Sequence, residues 1–153
     1  MNRVLVLVIG INMLIAALFT GACANQEVVV EKASTLLLRQ IELRKDQLAK
    51  PTTERLALMT TMGMNVDDIG VQRVFMYLAH ELTLSQLEEL EAMDIMLYPE
   101  SWIPPVGSHS TGFITADMTI GSLKELAAKD YVVRMDTAER LIEPGNTAQP
   151  ESK

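Results

Sequence analysis

The run at residues 82–98, LTLSQLEELEAMDIMLY, decides the fold because it holds a helix start, an apolar helix face and a strand. Thr83 is followed three residues later by Gln86, the spacing of a capping box. Leu82 and Leu87 stand where a hydrophobic staple needs them. These signals predict a helix that begins immediately after Thr83.

Strands are predicted on both sides of this helix. Residues Val71–Leu78 are rich in β-formers, and Val74, Met76 and Leu78 alternate with Arg73, Phe75 and Tyr77. The helix is expected to run to about Met93, and the apolar run at 95–98 predicts a second strand that stops at Pro99. The segment therefore predicts one βαβ unit.

A second copy of the unit lies 36 residues further on, at 118–134, MTIGSLKELAAKDYVVR. Thr83 aligns with Thr119, which predicts Thr119 as the second N-cap, and Leu90 aligns with Leu126. Strands are expected at 112–116 and 131–135. Two such units predict an α+β fold of the ferredoxin-like βαββαβ type, a four-stranded antiparallel sheet with both helices on one face.

The opposite face of such a sheet has no helices of the repeat to cover it. Phe75, Tyr77 and Phe113 are expected to point out of it, and exposed aromatic surface on a small domain often marks an interaction site. The alternative is that helices preceding the repeat cover this face.

The first 24 residues have the features of a secretory signal peptide. A short basic start is followed by an apolar run at 4–19 and by Ala22-Cys23-Ala24. The apolar run is shorter than the roughly 20 residues of a spanning helix. We therefore expect an exported protein, secreted or held on the extracytoplasmic side of a membrane.

Cys23 is the only cysteine, so no disulfide can form within the chain. The sequence Thr20-Gly21-Ala22-Cys23 resembles the lipobox of bacterial lipoproteins, in which Cys23 would be lipidated. Cleavage after Ala24 accounts for the same residues, and the two alternatives stay open.

Residues 25–66 are predicted to be mostly helical. Helical spacing from Val28 to Leu48 is broken at Pro51, and Thr52 or Thr53 can cap a second short helix that ends before Gly63. This segment is either a spacer or an N-terminal extension packed on the domain. The domain itself is expected at 71–144, followed by a flexible tail at 145–153.

Charge excludes one class of function. The chain of 153 residues has a formal net charge of −7 and no long run of lysine and arginine. A nucleic-acid surface needs concentrated positive charge, so nucleic acid is not an expected partner.

The order and spacing of four stretches resemble the subtilisin propeptide and proteinase-inhibitor family. The stretches are 74–78, 82–91, 111–116 and 123–135, and together they lie within 71–144. The resemblance implies a non-catalytic domain that inhibits a subtilisin-like serine protease or assists its folding. No protease domain follows in this sequence, so the chain is expected to act in trans.

The resemblance also implies a set of contact residues. An acidic side chain after the last strand would cap two helices of the protease, and an extended tail would run through its cleft. Asp136 falls on the first acidic position, whereas the second falls on Ala138, beside Glu139. The tail corresponds to Glu139, Arg140, Leu141, Ile142, Glu143 and Pro144.

The link at 99–109 is longer and richer in proline than the family pattern. Its Trp102 is the only tryptophan and is either a partner contact or a cover for the core edge. An adaptor or structural lipoprotein that uses the same fold without a protease is the alternative function.

Enzyme and cofactor functions have little support in the residues. His80 and His109 are the only histidines, and a metal site would need further ligands such as Glu81 and Asp117. No serine stands in a G-x-S-x-G turn. We therefore expect no catalytic residues, no metal and no cofactor.

Overall fold

The computed structural model describes residues 28, 29 and 31–139, which form an α+β domain with one four-stranded antiparallel sheet. In chain order the elements are α1 Thr35–Ala49, α2 Thr53–Thr61, β1 Val71–Leu78, α3 Leu84–Ala92, β2 Met96–Ile103, β3 Gly112–Thr119, α4 Leu123–Ala127 and β4 Val132–Thr137. The expected signal peptide at 1–24 and the tail at 145–153 lie outside the described residues.

The strand order in the sheet is β2-β3-β1-β4. β1 pairs with β3 over its whole length, from Val71 opposite Thr119 to Leu78 opposite Gly112. β1 also pairs with β4, and β2 pairs with β3, both antiparallel. The central strands are therefore β1 and β3, and the edges are β2 and β4.

One face of the sheet carries the hydrophobic core. Alternate residues of β1 and β3 are buried, as the period of two along a strand requires. Side chains from α1, α3 and α4 join them in a single cluster, whose fully buried members include Leu37, Val74, Met76, Leu78, Leu90, Ala116, Met118, Leu126 and Met135. All three helices thus pack on the same face.

The predicted start of α3 is confirmed. The Thr83 side chain accepts a hydrogen bond from the Gln86 amide, and the Gln86 side chain accepts one from the Thr83 amide. This reciprocal pair satisfies two of the amides that have no partner within a helix. The helix ends at Ala92, and Asp94 then adopts a φ of 56°.

The second strand continues beyond Pro99, so the prediction that it stops there was wrong. β2 extends to Ile103, but its register with β3 is irregular between Tyr98 and Ile103. Proline has no amide hydrogen to donate, and an edge strand tolerates it where a central strand would not. The edge position of β2 could not be read from the local sequence.

The two βαβ units differ more than the repeat predicts. The 36-residue offset relates the starts of β2 and β4, but β1 and β3 are offset by 41 residues. β3 extends to Thr119, so Thr119 is the last strand residue and not the N-cap. The N-cap of α4 is Ser122, whose hydroxyl lies 2.7 Å from that of Thr119, and α4 has only five residues.

The N-terminal segment is interrupted before α1. The sequence predicts one helix from Val28, whereas the chain is non-helical at Ala33 and Ser34. Ala33 forms a parallel bridge with Met135 of β4, and the Ser34 amide donates to the Met135 carbonyl. The Ser34 side chain then caps α1 by accepting from the Leu37 amide. Pairing with an edge strand therefore breaks the helix.

The second helix of this segment follows the prediction closely. α2 begins after Thr52, whose side chain accepts a hydrogen bond from the Arg55 amide. It ends at Thr61, and Gly63 takes a φ of 69°, the left-handed conformation that commonly ends helices.

A buried polar cluster joins α1 to the sheet. Arg44 is fully buried, and its Nη2 atom lies 2.6 Å from Oε2 of Glu139. Arg44 also donates to the Gln72 side chain and to the carbonyls of Asp68 and Ile69. The Gln72 side chain in turn donates to the side-chain oxygen Oε1 of Gln40. The segment at 35–49 is thus part of the domain and not a detached spacer.

Candidate binding face of the sheet

The face of the sheet opposite the helices is the candidate functional site, and we call it the open face. Its side chains come from the alternate positions of the strands that do not enter the core. They include Arg73, Phe75 and Tyr77 of β1, Phe113, Thr115 and Asp117 of β3, Arg134 and Asp136 of β4, and Tyr98 of β2. α1 was a candidate to cover this face, but it packs on the other one.

Three aromatic rings form the centre of the open face. The Phe75 and Phe113 ring centroids are 5.6 Å apart with an interplanar angle of 77°, an edge-to-face contact. The Tyr77 and Phe113 centroids are also 5.6 Å apart, because these residues are directly opposite in the pairing of β1 with β3. All three side chains remain partly exposed. The structure therefore brings together the three aromatic residues that the sequence selected.

Arg134 lies over the Tyr77 ring. Its guanidinium carbon is 4.2 Å from the ring centroid, and the two residues are paired between β4 and β1. Stacking of this kind holds a cation in place without neutralising its charge. Within residues 31–139 no acidic side chain forms a salt bridge with Arg134.

Arg73 at the other end of the open face has an acidic partner. Its Nε and Nη2 atoms donate to the two carboxylate oxygens of Asp117 over 2.7 and 2.8 Å. The Tyr98 hydroxyl donates to the same carboxylate over 2.7 Å and accepts from Arg73 over 2.8 Å. Both carboxylate oxygens of Asp117 are therefore engaged within the cluster.

The hydrogen bonds in this cluster shift the pKa of its members. The bond from Arg73 lowers the pKa of Asp117, and the bond from Tyr98 adds to the effect. The bond to Asp117 raises the pKa of Arg73 and that of Tyr98. Each shift favours the charge state that makes the bonds. The arrangement is that of a cross-strand ion pair and not of a general acid or base.

A groove of about 230 Å³ adjoins the aromatic centre. Its floor is formed by Tyr77 and Phe113, and its rim includes Ile103 and Val106, which are 47% and 63% exposed. Pro104, His109 and Thr111 complete the lining. No acidic side chain is among these lining residues. The groove is apolar and large enough for one or two side chains.

The two acidic residues expected to contact a protease have partners within the chain. Asp136 lies inside β4 and not after it, and its Oδ1 atom accepts from the Ser34 hydroxyl over 2.7 Å. Asp136 therefore binds the capping residue of the chain's own helix α1. Glu139 is only 8% exposed and accepts from Arg44 and from the amides of Asn65 and Arg73.

The remaining expected contact residues, Arg140, Leu141, Ile142, Glu143 and Pro144, lie outside the described residues, as does Cys23. Trp102 is described, and it packs against the core edge. Its ring lies so close to Gly112 that a β-carbon there would overlap it. Of the two alternatives for Trp102, this position supports the cover for the core edge.

Two kinds of feature are absent from the part of the chain that the structure describes. No group of three or more His, Cys, Asp or Glu side chains there could hold a metal ion. No helix there is long and apolar enough to cross a membrane.

Sequence reasoning placed Arg73 beside the aromatic residues and selected Asp136, but it missed the pairing of Arg73 with Asp117 and the position of Arg134. The alternation in β1 places Arg73 beside Phe75 and Tyr77, but its pairing with Asp117 requires the register of β1 and β3. Simple alternation along β4 could not predict the position of Arg134. The register of β4 with β1 shifts between Tyr77 and Leu78, and the adjacent residues 133 and 134 are both exposed. No local sequence signal would have revealed either position.

Comparisons with known proteins found no matching family model, no matching curated protein and no matching solved structure.

Proposed function

We propose that this chain is an exported, non-catalytic protein-binding domain that contacts its partner through the open face of the sheet. The observation that carries the proposal is the partly exposed cluster of Phe75, Tyr77 and Phe113 on a face that no core helix covers. Aromatic side chains are enriched in protein interfaces, and they give a large contact area at low entropic cost.

The edges of the sheet support this choice of surface. The β4 edge is already paired with Ala33 and Ser34. The β2 edge contains Pro99, an exposed Glu100 and an irregular register, all of which oppose the addition of a further strand. The open face is therefore a better candidate for partner binding than either edge.

We also propose that the fold is ferredoxin-like. The order β2-β3-β1-β4, with antiparallel neighbours and α3 and α4 on one face, supports this assignment. The export signal at 1–24 and the lipid anchor at Cys23 are likewise proposals, supported by the sequence pattern alone.

The narrower proposal is a trans-acting inhibitor or folding assistant of a subtilisin-like serine protease. It is supported by the resemblance and by an open sheet face of the kind that the family lays on its protease. Glu139 is buried in the domain, so it is not among the proposed contacts. The proposed contacts are then the open face, Asp136 and the tail at 140–144.

An inhibition assay tests this narrower proposal. The full chain is added to a panel of subtilisins, and the initial rates of hydrolysis of a chromogenic peptide are measured. Phe75→Ser is expected to weaken inhibition at least tenfold, whereas Leu84→Ser should leave it unchanged because Leu84 is 80% exposed on α3. A chain ending at Arg140 should also lose inhibition. Absence of inhibition throughout would overturn the protease proposal.

The second candidate is an envelope adaptor or structural lipoprotein. One observation favours this candidate. The two acidic side chains that a protease contact would use, Asp136 and Glu139, already have partners within the chain. Cross-linking in the native envelope should then capture a protein other than a protease. Capture must be lost in Phe75→Ser and kept in Leu84→Ser to support the open face as the contact.

A further inference from the structure

The two arginines of the open face differ in how far their guanidinium groups are already paired. Arg73 donates from Nε and Nη2 to the Asp117 carboxylate, and from Nη2 also to the Tyr98 hydroxyl. Arg134 has only the Tyr77 ring beneath it among the described residues, and it is exposed. A stacked and exposed guanidinium is held in place with N–H groups that can donate to an acceptor of a partner.

Asp136, an acidic residue on the same face of β4, is bound to other groups of the chain. Asp136 is two residues along β4, and its carboxylate accepts from the Ser34 hydroxyl and from the Thr137 amide. Arg134 places a positive charge on this face of a protein whose net charge is −7. A carboxylate is the complementary group.

The groove supplies the other half of the site. Tyr77 lies under Arg134 and also forms part of the groove floor with Phe113. The exposed rim residues Ile103 and Val106 provide apolar contact, and no acid is among the lining residues. The Tyr77 ring thus contacts the Arg134 guanidinium and also lines the apolar groove.

We infer that the Tyr77 end of the open face binds a partner segment in which an apolar side chain fills the groove and an adjacent carboxylate pairs with Arg134. This inference rests on the proposed protein-binding function and deepens it, because it specifies what the partner presents. It needs no protease and applies equally to an adaptor.

A matched pair of peptides tests the inference. The full-length chain, labelled with ¹⁵N, is titrated with acetyl-Gly-Leu-Leu-Glu-Gly-amide and with the same peptide carrying Gln in place of Glu. The Glu peptide is expected to shift the amide signals of Tyr77, Phe113 and Ile103. It should bind about three- to fivefold more tightly than the Gln peptide, the size of an exposed ion pair.

Two arginine variants give the decisive control. Arg134→Gln should reduce the affinity for the Glu peptide to that for the Gln peptide and leave the latter unchanged. Arg73→Gln lies on the same face but removes an arginine that is already paired, so the preference for Glu should persist. Retained near-UV circular dichroism establishes that both variants are folded.

Three results would overturn the inference. They are equal binding of the two peptides, equal effects of the two arginine variants, or peptide binding only after residues 140–153 are removed, which would make the chain's own tail the occupant. The proposed function and this inference can fail independently of each other. If Phe75→Ser abolishes envelope capture while the peptides are not distinguished, the open face binds protein but this chemistry is wrong.

Discussion

The two faces of the sheet are built from the same strands but are stabilised in different ways. On the helix face, β1 contributes Val74, Met76 and Leu78, all fully buried under helices. On the open face it contributes Arg73, Phe75 and Tyr77, whose side chains pair with side chains of neighbouring strands. The first face is stabilised by burial, and the second by cross-strand pairs that water still reaches.

Charged groups show the same difference. The Arg44–Glu139 pair lies within the domain and has hydrogen-bond partners for both side chains. The Arg73–Asp117 pair is equally close, but the Arg73 side chain is 48% exposed. The two ion pairs have similar distances but should contribute very differently to stability. The cost of losing one partner depends on how far the remaining charge is removed from water, and not on the distance within the pair.

The largest effect is expected from Glu139→Ala. This change leaves the Arg44 guanidinium buried without its carboxylate and leaves the Asn65 and Arg73 amides without their acceptor. The free energy of unfolding should fall by about 3–5 kcal/mol. Urea unfolding followed by far-UV circular dichroism measures it. The control Glu42→Ala, on the exposed side of α1, should change it by no more than about 0.5 kcal/mol. Equal costs would show that the polar cluster does not anchor α1.

A smaller loss is expected from Gly112→Ala at the start of β3. The added β-carbon would lie 2.7 Å from the Ile103 carbonyl oxygen and would overlap the Trp102 ring. The cost should be about 1–3 kcal/mol, and the fluorescence of Trp102 should change. Gly121→Ala is the matched control, because its β-carbon would have no neighbour closer than 3.9 Å. An unchanged Trp102 spectrum in Gly112→Ala would contradict the observed packing of β2 on β3.

The smallest effect is expected from Asp117→Asn on the open face. Solvent screens this pair, so the loss should be a few tenths of a kcal/mol and at most about 1 kcal/mol at neutral pH. The Asp117 pKa is lowered in the folded state, so its contribution is fully present above the ordinary value of 3.8 and is lost as the pH falls through the lowered pKa. The stability difference between the original chain and Asp117→Asn should therefore shrink below about pH 4. A difference that grows there would contradict the pairing.

Local signals in the sequence were sufficient for several elements. The capping box at Thr83 and the alternation in β1 predicted α3 and the strand before it, because caps and pleats depend on neighbouring residues only. The pattern of apolar and aromatic residues in β1 also selected the face that would carry Phe75 and Tyr77. The aromatic centre of the candidate site was therefore predictable before any pairing was known.

Only the tertiary structure decided which edges, partners and helix breaks exist. Pro99 is tolerated because β2 is an edge strand. Ser34 is an N-cap because the preceding Ala33 pairs with β4. Thr119 is a strand residue because β3 pairs with β1 along its whole length. The buried role of Glu139 and the exposed arginine at 134 likewise depend on contacts between residues far apart in the chain. Local sequence sets the propensity of each segment, whereas burial and pairing across the fold determine its final role.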